Sequence, residues 1–467
     1  MSQTLTSQTL AQHPAVAAQL DLLCAWIEAQ MAYKNQPGLS IGIVYDQALI
    51  WAKGFGFANL ADQTPATPKT VYRIASITKL FTSTAIMQLR DAGQLQLDDP
   101  ITKHLSWFAI QNQFPNTPPV TIRHLLTHTS GLPREAAFPY WIDNDFPTMA
   151  EIQARLPQQT QALPTATKWK YSNLGLALLG EIVTAVSGIA WADYIETKIL
   201  QPLGMENTFT AIDSNHPLLA TGYGRRLPDH SRTISPYTDA KGIAAAANMA
   251  TNVEDLARFA MLQFRDGLQQ GQQILQGSSL REMQRVHWLN KDWQSGRGLG
   301  FSVRRFEGKT ISSHGGALQG YRSQFHVCPE DKIAVIVLTN ADDGAPVSYV
   351  EKAFQWVAPA LRKATASTSK TAQATESWQR YVGKYRSVWG DEQVLILNNE
   401  LVLIDPTLAD PIAECAKLIP VAEHTFRVET EDNYGSDGEF AVFDLDETGK
   451  VTRLLVGNTP IFPVEAW

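Results

Sequence analysis

The chain has 467 residues, of which 44% are hydrophobic and 18% charged, and its formal net charge at pH 7 is -7. This length predicts two or three domains, and this composition is typical of globular proteins. The negative net charge and the lack of a long run of lysine and arginine exclude a general nucleic-acid-binding role.

Cysteine usage and the amino-terminal residues indicate a cellular compartment. Cys24, Cys328 and Cys415 lie far apart without a CxxC spacing, so the sequence predicts neither a disulfide framework nor a zinc site. The first twenty residues lack a basic region and an uninterrupted apolar stretch, and about eighteen apolar residues never run together. We therefore expect a cytoplasmic protein without a membrane partner.

The first elements in chain order are a helix and a hairpin. Residues 16–33 carry apolar side chains at helical spacing, and Pro37 and Gly38 end the pattern. Two apolar runs, 39–45 and 49–55, lie on either side of a short turn and predict antiparallel strands.

The next stretch, residues 72–90, reads YRIASITKLFTSTAIMQLR; it places a candidate nucleophile one helical turn ahead of a candidate base and then runs on as a helix. Ser76 and Lys79 are three residues apart and share a helix face, with Ser76 at the amino-terminal turn. The helix dipole favours an oxyanion at Ser76, and burial disfavours a protonated Lys79, so Ser76 is a candidate nucleophile and Lys79 a candidate base. Taken alone, this spacing also fits an ordinary surface helix.

Residues 95–212 carry mostly helical patterns separated by proline-rich loops, which predicts an all-helical insertion. Within it, His124 and His128 have the four-residue spacing of paired metal ligands. Leu125 stands where a zinc protease would carry glutamate, so the favoured interpretation is that these histidines pack or cap, and we expect no metal.

The later segments return to strands. Residues 254–263 predict a helix, and strands are predicted at 300–306, 309–313, 323–328 and 333–338, so both ends of the first domain build one sheet in an α+β arrangement. Residues 363–377 are poor in large apolar side chains and predict a linker between a domain at 1–362 and a domain at 378–467. Short alternating runs in the last ninety residues or so predict an antiparallel barrel or sandwich.

Two further stretches supply candidate site residues. In KYSNL, Tyr171 and Asn173 stand two residues apart on a segment that enters a helix. A Tyr171 phenolate next to Lys79 would accept the proton of Ser76, and the Asn173 amide offers a donor and an acceptor for substrate binding. In SHGGALQGYRS, Gly315 and Gly316 would allow a substrate backbone to approach the sheet closely. The backbone amides of Ala317 and Ser76 would form an oxyanion hole.

In this order and at these separations, the SxxK, YxN and HxG motifs resemble those of the serine penicillin-recognising superfamily. Further stretches, including TIRHLLTHTSGLP and YSNLGLALLGEIVTAVSG, are similar to its class C β-lactamase-like branch, peptidase family S12. The resemblance covers roughly residues 15–360. It implies a β-lactamase/transpeptidase-like antiparallel sheet flanked by helices with an all-helical subdomain. The last residues, opening with YVGKY, more loosely resemble the lipocalin-like barrel that some members carry.

The resemblance implies a cofactor-free serine hydrolase that forms an acyl-enzyme on Ser76. We expect an esterase or a peptidase for small or D-amino-acid substrates. The alternatives are a β-lactamase or D-Ala-D-Ala carboxypeptidase, and a non-catalytic binding protein that keeps the fold. The barrel is expected to influence access or assembly, including a homo-oligomer, and not the chemistry.

The main departure from the antibiotic-hydrolysing members is His314, which stands where they keep a lysine. An imidazole is mostly neutral above its usual pKa of about 6.5, so carboxylate-bearing β-lactams should be held less well. We also expect acid to protonate His314, so that anionic substrates bind better at lower pH.

Overall fold

The computed structural model describes residues 10–267, 271–366, 376–408, 410–411, 415–430 and 435–465. They form two compact units that divide between Ala364 and Thr365. The predicted linker at 363–377 begins inside a helix that continues to Ala366, and residues 367–375 lie outside the described residues.

The first unit is built around antiparallel strands. These are β1 Gly38–Tyr45, β2 Ala48–Asn59, β3 Thr64–Pro65, β4 Tyr72–Arg73, β5 Ala250–Thr251, β6 Trp288–Leu289, β7 Ser295–Arg297, β8 Ser302–Phe306, β9 Lys309–Leu318, β10 Tyr321–Cys328 and β11 Ile333–Thr339. Nine of them form one sheet in the order β3-β2-β1-β11-β10-β9-β8-β7-β6, and β4 pairs with β5. Because β1 pairs with β11, the first and last strands of this unit lie side by side in the interior of the sheet.

Helices cover both faces of this sheet. They are α1 Pro14–Lys34, α2 Thr78–Asp91, α3 Ile122–Leu126, α4 Tyr140–Asp143, α5 Met149–Arg155, α6 Asn173–Ser187, α7 Trp191–Ile195, α8 Gln201–Leu203, α9 Ala244–Ala247, α10 Val253–Leu262, α11 Gly277–Gln284 and α12 Pro346–Ala366. Short 3-10 or π turns lie at Ala75–Ile77, Ile101–Lys103, Leu156–Gln158, Glu196–Leu200 and Lys241–Ile243.

Strand β11 shows why a continuous apolar run is needed at the sheet centre. Its side chains alternate between the two faces, and every residue of the strand is buried. Ile333, Val335 and Val337 pack with α1 and α12. Ala334, Ile336 and Leu338 pack in the second core, which contains α2, α6 and α10. The sheet is therefore the middle of three layers.

The predicted first helix and hairpin form for local reasons. Helix α1 buries Leu20, Leu23, Ile27 and Met31 on one face and ends at Asn35, whose φ of 49° is left-handed. A two-residue turn joins β1 to β2, and its first residue, Asp46, also has a positive φ of 47°.

The second unit contains a closed barrel. Its strands are β12 Gly383–Arg386, β13 Asp391–Leu397, β14 Glu400–Ile404, β15 Ala416–Ala422, β16 Thr425–Glu429, β17 Phe440–Leu445, β18 Val451–Val456 and β19 Thr459–Val464, preceded by a 3-10 turn at Glu376–Tyr381. Strand β12 pairs with β19 and closes the barrel. Asn398 and Asn399 both have positive φ and form the two-residue turn between β13 and β14.

Within the described ranges, no single helix has both the length and the apolarity to cross a membrane. One bent pair, Asn173–Ser187 with Trp191–Leu203, meets those criteria by length and composition. Most of Asn173–Ser187 is buried in the core of the first unit.

The observed architecture confirms the predicted fold class. The first unit has an antiparallel sheet with helices on both faces, and the last part of the chain is a closed barrel of eight strands. The predicted choice between a barrel and a sandwich is thereby decided in favour of the barrel.

Candidate active site

Ser76 lies in the 3-10 turn that leads into α2. The preceding residue, Ala75, has a positive φ of 47°, which is uncommon for a residue with a β-carbon and marks a strained turn. The Ser76 side chain is half-buried and reaches a cavity of about 990 Å³. The turn therefore presents the hydroxyl to a space that a substrate can enter.

Lys79 lies one turn further along and is fully buried. Its Nζ donates hydrogen bonds to Asn173 Oδ1 and to the backbone oxygen of Ala246, each at 2.8 Å. It also lies 3.1 Å from Ser76 Oγ. Burial lowers the pKa of Lys79 to about 7, the charge of Glu135 opposes this shift, and Arg134 adds to it.

These contacts direct the lone pair of a neutral Lys79 amine. Asn173 Oδ1 and the Ala246 oxygen are acceptors only, so together they take both N–H groups of the neutral amine. The remaining lone pair then faces Ser76 Oγ, whose hydroxyl can donate to it. The geometry suits proton transfer from Ser76 to Lys79.

Tyr171 contacts the same hydroxyl from the other side, and its OH donates to Ser76 Oγ at 2.8 Å. Lys79 Nζ lies 4.8 Å from the centroid of the Tyr171 ring. Burial raises the pKa of Tyr171 to about 12, and the hydrogen bond with Ser76 only partly offsets this. The expectation of a Tyr171 phenolate was wrong: desolvation outweighs the nearby cations, and the phenol keeps its proton at neutral pH.

The glycines of β9 face different neighbours. A β-carbon added at Gly316 would lie 2.1 Å from the Ile74 backbone oxygen. At this position it is therefore the chain's own backbone that approaches closely, where a substrate backbone was expected. A β-carbon at Gly315 would meet the end of the Gln324 side chain at 2.6 Å. Both glycines line the cavity with Ser76.

Ala317 also lines this cavity, on a stretch of β9 that has a strand on one side only. The pairing of β9 with β8 ends at Ser313, whereas its pairing with β10 continues to Leu318. Alternate backbone N–H groups of the stretch after Ser313 therefore point away from β10. This leaves the Ala317 amide as a candidate partner of the Ser76 amide in an oxyanion hole.

His314 lines the cavity as a neutral side chain. Its Nδ1 lies 2.8 Å from the Gly315 oxygen and donates to it, which leaves Nε2 as an acceptor. Burial and then the charge of Lys79 lower the pKa of His314 to about 3. The expectation that mild acid protonates His314 was therefore wrong, because the charged form would be desolvated beside a second cation.

His124 and His128 take part in packing and capping. His124 Nδ1 accepts the backbone N–H of Thr121 at 3.2 Å at the start of α3. His128 is buried, accepts the N–H of Ser172 at 3.2 Å and lies 4.5 Å, ring to ring, from Tyr171. Among the described residues, no group of three or more His, Cys, Asp and Glu side chains converges as a metal site.

Several groups around the cavity were missed by the motif analysis. Glu135 accepts a hydrogen bond from Asn173 Nδ2 at 2.8 Å and one from Arg134 Nε at 3.1 Å. Trp169 lines the cavity and stacks on the Arg297 guanidinium, 4.1 Å from the ring centroid. Of these groups, Glu135 had a sequence signal, because it is the second residue after the family-like stretch that ends in TSGLP.

The cations that line the cavity have acidic partners. Arg134 contacts Glu135, and Arg322 Nη1 donates to Asp342 Oδ1 at 3.0 Å. Among the described lining residues there is thus no arginine or lysine without a carboxylate partner, while Trp141, Trp169, Pro346 and Val347 supply apolar surface.

Comparisons with known proteins show which proteins this chain is similar to. The β-lactamase family profile matches residues 23–358. Beta-lactamase-like protein 2 of Dictyostelium discoideum is 33% identical over 301 residues, which are 63% of this chain and 54% of that protein. The match therefore spans about half the length of that relative.

Two other matches cover more of the length of the compared protein. Penicillin-binding protein 4* of Bacillus subtilis is 26% identical over 380 residues, which are 76% of this chain and 81% of that protein. The octameric penicillin-binding protein homologue from Pyrococcus abyssi is 28% identical, with a TM-score of 0.64 over 95% of this chain and 99% of that one. Because the family profile matches well over half of the chain, this protein belongs to the β-lactamase family.

Proposed function

We propose that this protein is a serine hydrolase that forms an acyl-enzyme on Ser76 and cleaves an ester or amide bond in small or D-amino-acid substrates. The observation that carries the proposal is the arrangement around one hydroxyl: Ser76 Oγ lies 3.1 Å from Lys79 Nζ and 2.8 Å from the Tyr171 hydroxyl. One group can accept the serine proton while the other can donate a proton.

The proposed reaction begins with attack of Ser76 Oγ on the substrate carbonyl carbon. The serine proton passes to Lys79, and the amides of Ser76 and Ala317 hold the carbonyl oxygen as it gains negative charge. When the intermediate collapses, the bond to the leaving group breaks and that group takes the Tyr171 proton. The proton on Lys79 then restores Tyr171, and water repeats the sequence to release the acid.

The charges of the cavity favour a neutral substrate over a carboxylate-bearing one. His314 is neutral at its pKa of about 3, and Arg134 and Arg322 are each paired with a carboxylate. The apolar surface of Trp141, Trp169 and Val347 suits an uncharged acyl or alcohol group. We therefore place an esterase or peptidase of the class C β-lactamase-like type, peptidase family S12, ahead of a β-lactamase.

A β-lactamase or D-Ala-D-Ala carboxypeptidase is the second candidate, because one of the compared proteins is named as a penicillin-binding protein and another as a homologue of one. A panel of neutral p-nitrophenyl esters, D- and L-aminoacyl anilides and nitrocefin separates the two. We expect the highest kcat/KM for a neutral ester or a D-aminoacyl anilide. A higher value for nitrocefin would favour the second candidate.

The acyl-enzyme itself is tested by intact-mass spectrometry after treatment with a slowly deacylating ester. The wild-type protein should gain the mass of one acyl group, and Ser76→Ala should gain none. An adduct that persists in Ser76→Ala would overturn the assignment of Ser76, and a wild type that is never labelled would favour a non-catalytic binding protein.

A further inference from the structure

Glu135 lies directly behind Asn173, on the side away from Lys79. Its Oε1 accepts the 2.8 Å hydrogen bond from Asn173 Nδ2, and its Oε2 accepts a hydrogen bond from the hydroxyl of the buried Tyr140. The Glu135 side chain is only 20% exposed. Each carboxylate oxygen is therefore engaged by a side-chain donor.

The backbone brings these two segments together independently of the carboxylate. The N–H of Asn173 donates to the backbone oxygen of Arg134 at 2.7 Å, and Ser172 Oγ donates to the backbone oxygen of Pro133 at 2.6 Å. The place of Glu135 beside Asn173 is thus fixed by neighbouring hydrogen bonds, and a substitution of the Glu135 side chain leaves those bonds in place.

The carboxylate determines which way the Asn173 amide points. A carboxylate only accepts hydrogen bonds, so the amide must present Nδ2 to Glu135 and Oδ1 to Lys79. Lys79 Nζ donates to that Oδ1 at 2.8 Å. If the Asn173 amide turned over, its Nδ2 donor would face the N–H donors of Lys79. The neutral amine would then turn its lone pair away from Ser76 and toward Asn173 Nδ2.

We propose that Glu135 is a positioning residue, which acts through Asn173 to keep the Lys79 lone pair directed at Ser76. This inference rests on the proposed function, because it assigns Glu135 a part in the same proton transfer. Glu135 also supplies negative charge near Lys79, which favours the protonated amine, and Arg134 opposes it.

The other titratable groups around Lys79 do not change charge near neutral pH. Tyr171 stays protonated because burial raises its pKa to about 12. His128 and His314 stay neutral because burial lowers the pKa of each imidazole well below its ordinary value. Removal of the Glu135 charge should therefore be read out through Lys79 alone.

The first test measures kcat/KM for a neutral p-nitrophenyl ester against pH in the full chain. Glu135→Gln removes the charge and keeps an acceptor for Asn173, so we expect the acid midpoint of the profile to move to lower pH with a small loss at the plateau. Glu135→Ala removes the acceptor, and the plateau should fall roughly tenfold to a hundredfold. Glu196→Gln, at an exposed glutamate away from the cavity, should leave the profile unchanged.

The second test asks whether the effect passes through Asn173. In an Asn173→Ala background, Glu135→Ala should cause little further loss, since the group it positions is already gone. A merely structural role would instead lower Tm, leave the midpoint of Glu135→Gln unchanged and give losses that multiply in the double variant. Either an unchanged midpoint in Glu135→Gln or multiplying losses in the double variant would overturn the proposal.

The same experiments separate this inference from the proposed function. If Ser76→Ala is still acylated, the proposed function fails whatever the Glu135 variants do. If the wild type is acylated on Ser76 but Glu135→Gln keeps the wild-type midpoint and Glu135→Ala keeps the wild-type plateau, only the role of Glu135 fails. Glu135→Gln has nearly the shape of the native side chain, which keeps the test valid if Glu135→Ala does not fold.

Discussion

The backbone of Gly316 lies so close to Ile74 that a β-carbon at Gly316 would stand 2.1 Å from the Ile74 oxygen. That oxygen also accepts a hydrogen bond from Ser323 Oγ at 3.0 Å. Ile74 comes two residues before Ser76, so strand β9 and its neighbour β10 hold the turn that carries the nucleophile.

This contact predicts different results for alanine at the two neighbouring glycines. Gly316→Ala must displace backbone, so we expect a destabilisation of about 1–3 kcal/mol and a large loss of Ser76 acylation. Gly315→Ala meets only the movable end of Gln324 and should cost less on both measures. Thermal melts and acylation rates by intact mass compare the pair. Equal acylation rates in the two variants would show that β9 does not set the position of Ser76.

The two proton-transfer residues can be tested separately. Lys79→Ala removes the proposed base, and Tyr171→Phe removes the hydroxyl that contacts Ser76 Oγ at 2.8 Å. Each should lower the rate by about a hundredfold or more, because each removes a group that moves a proton in the transition state. Single-turnover acylation measures this loss directly. A near wild-type kcat in Tyr171→Phe would make Tyr171 only a wall of the cavity.

The pH dependence of a neutral ester should follow Lys79. The amine must be neutral to accept the Ser76 proton, and its pKa is lowered to about 7 by burial. The rate should therefore fall as the pH decreases through about 7 and reach a plateau above it. Tyr171 must stay protonated and has a pKa of about 12, so no alkaline decline is expected at ordinary assay pH.

A control variant tests whether this acid midpoint belongs to Lys79. His314→Gln replaces an imidazole that is already neutral, so the midpoint of kcat/KM should stay where it is in the wild type. A midpoint that disappears in His314→Gln would mean that the imidazole, and not Lys79, controls the acid limb.

The sequence predicted the local elements well because their patterns are local. The hairpins β1–β2 and β13–β14 form where short turns separate apolar runs, and α2 begins at the stretch that carries Ser76. The motifs also predicted which side chains meet: Ser76, Lys79, Tyr171 and Asn173 are joined by hydrogen bonds.

Properties that depend on burial could not be predicted from these patterns. The nearby Lys79 cation suggested a Tyr171 phenolate, and the ordinary pKa of an imidazole suggested that mild acid would protonate His314. Both expectations were wrong because desolvation dominates at each site. The carboxylate of Glu135 reaches Asn173 from a separate loop, so no spacing within a motif indicates the contact.

The division of the chain predicts that the chemistry belongs to the first unit. Every residue that lines the cavity lies between Ser76 and Val347, and the units divide after Ala364. A shortened chain that ends at Ala366 should still hydrolyse a small activated ester, because it keeps every described residue that lines the cavity. Complete inactivity of a shortened chain with a normal melting transition would show that the barrel contributes to the site. Assembly through the barrel stays a prediction, which sedimentation of the full and shortened chains would test.

The last prediction concerns charge at His314. His314→Lys would place an amine, which is protonated far more readily than an imidazole, in a cavity whose described arginines are already paired with carboxylates. We expect kcat/KM for a carboxylate-bearing β-lactam to rise relative to that for a neutral ester by about tenfold, the equivalent of roughly 1 kcal/mol for one new charge pair.

The new cation should also act on Lys79. A second positive charge disfavours the protonated amine, so the acid midpoint for the neutral ester should move to lower pH in His314→Lys. His314→Gln is the matched neutral control and should change neither the substrate ratio nor the midpoint. If His314→Lys moves the midpoint but leaves the ratio unchanged, the cation is present and the substrate carboxylate binds elsewhere. The neutrality of His314 would then no longer account for a preference for uncharged substrates.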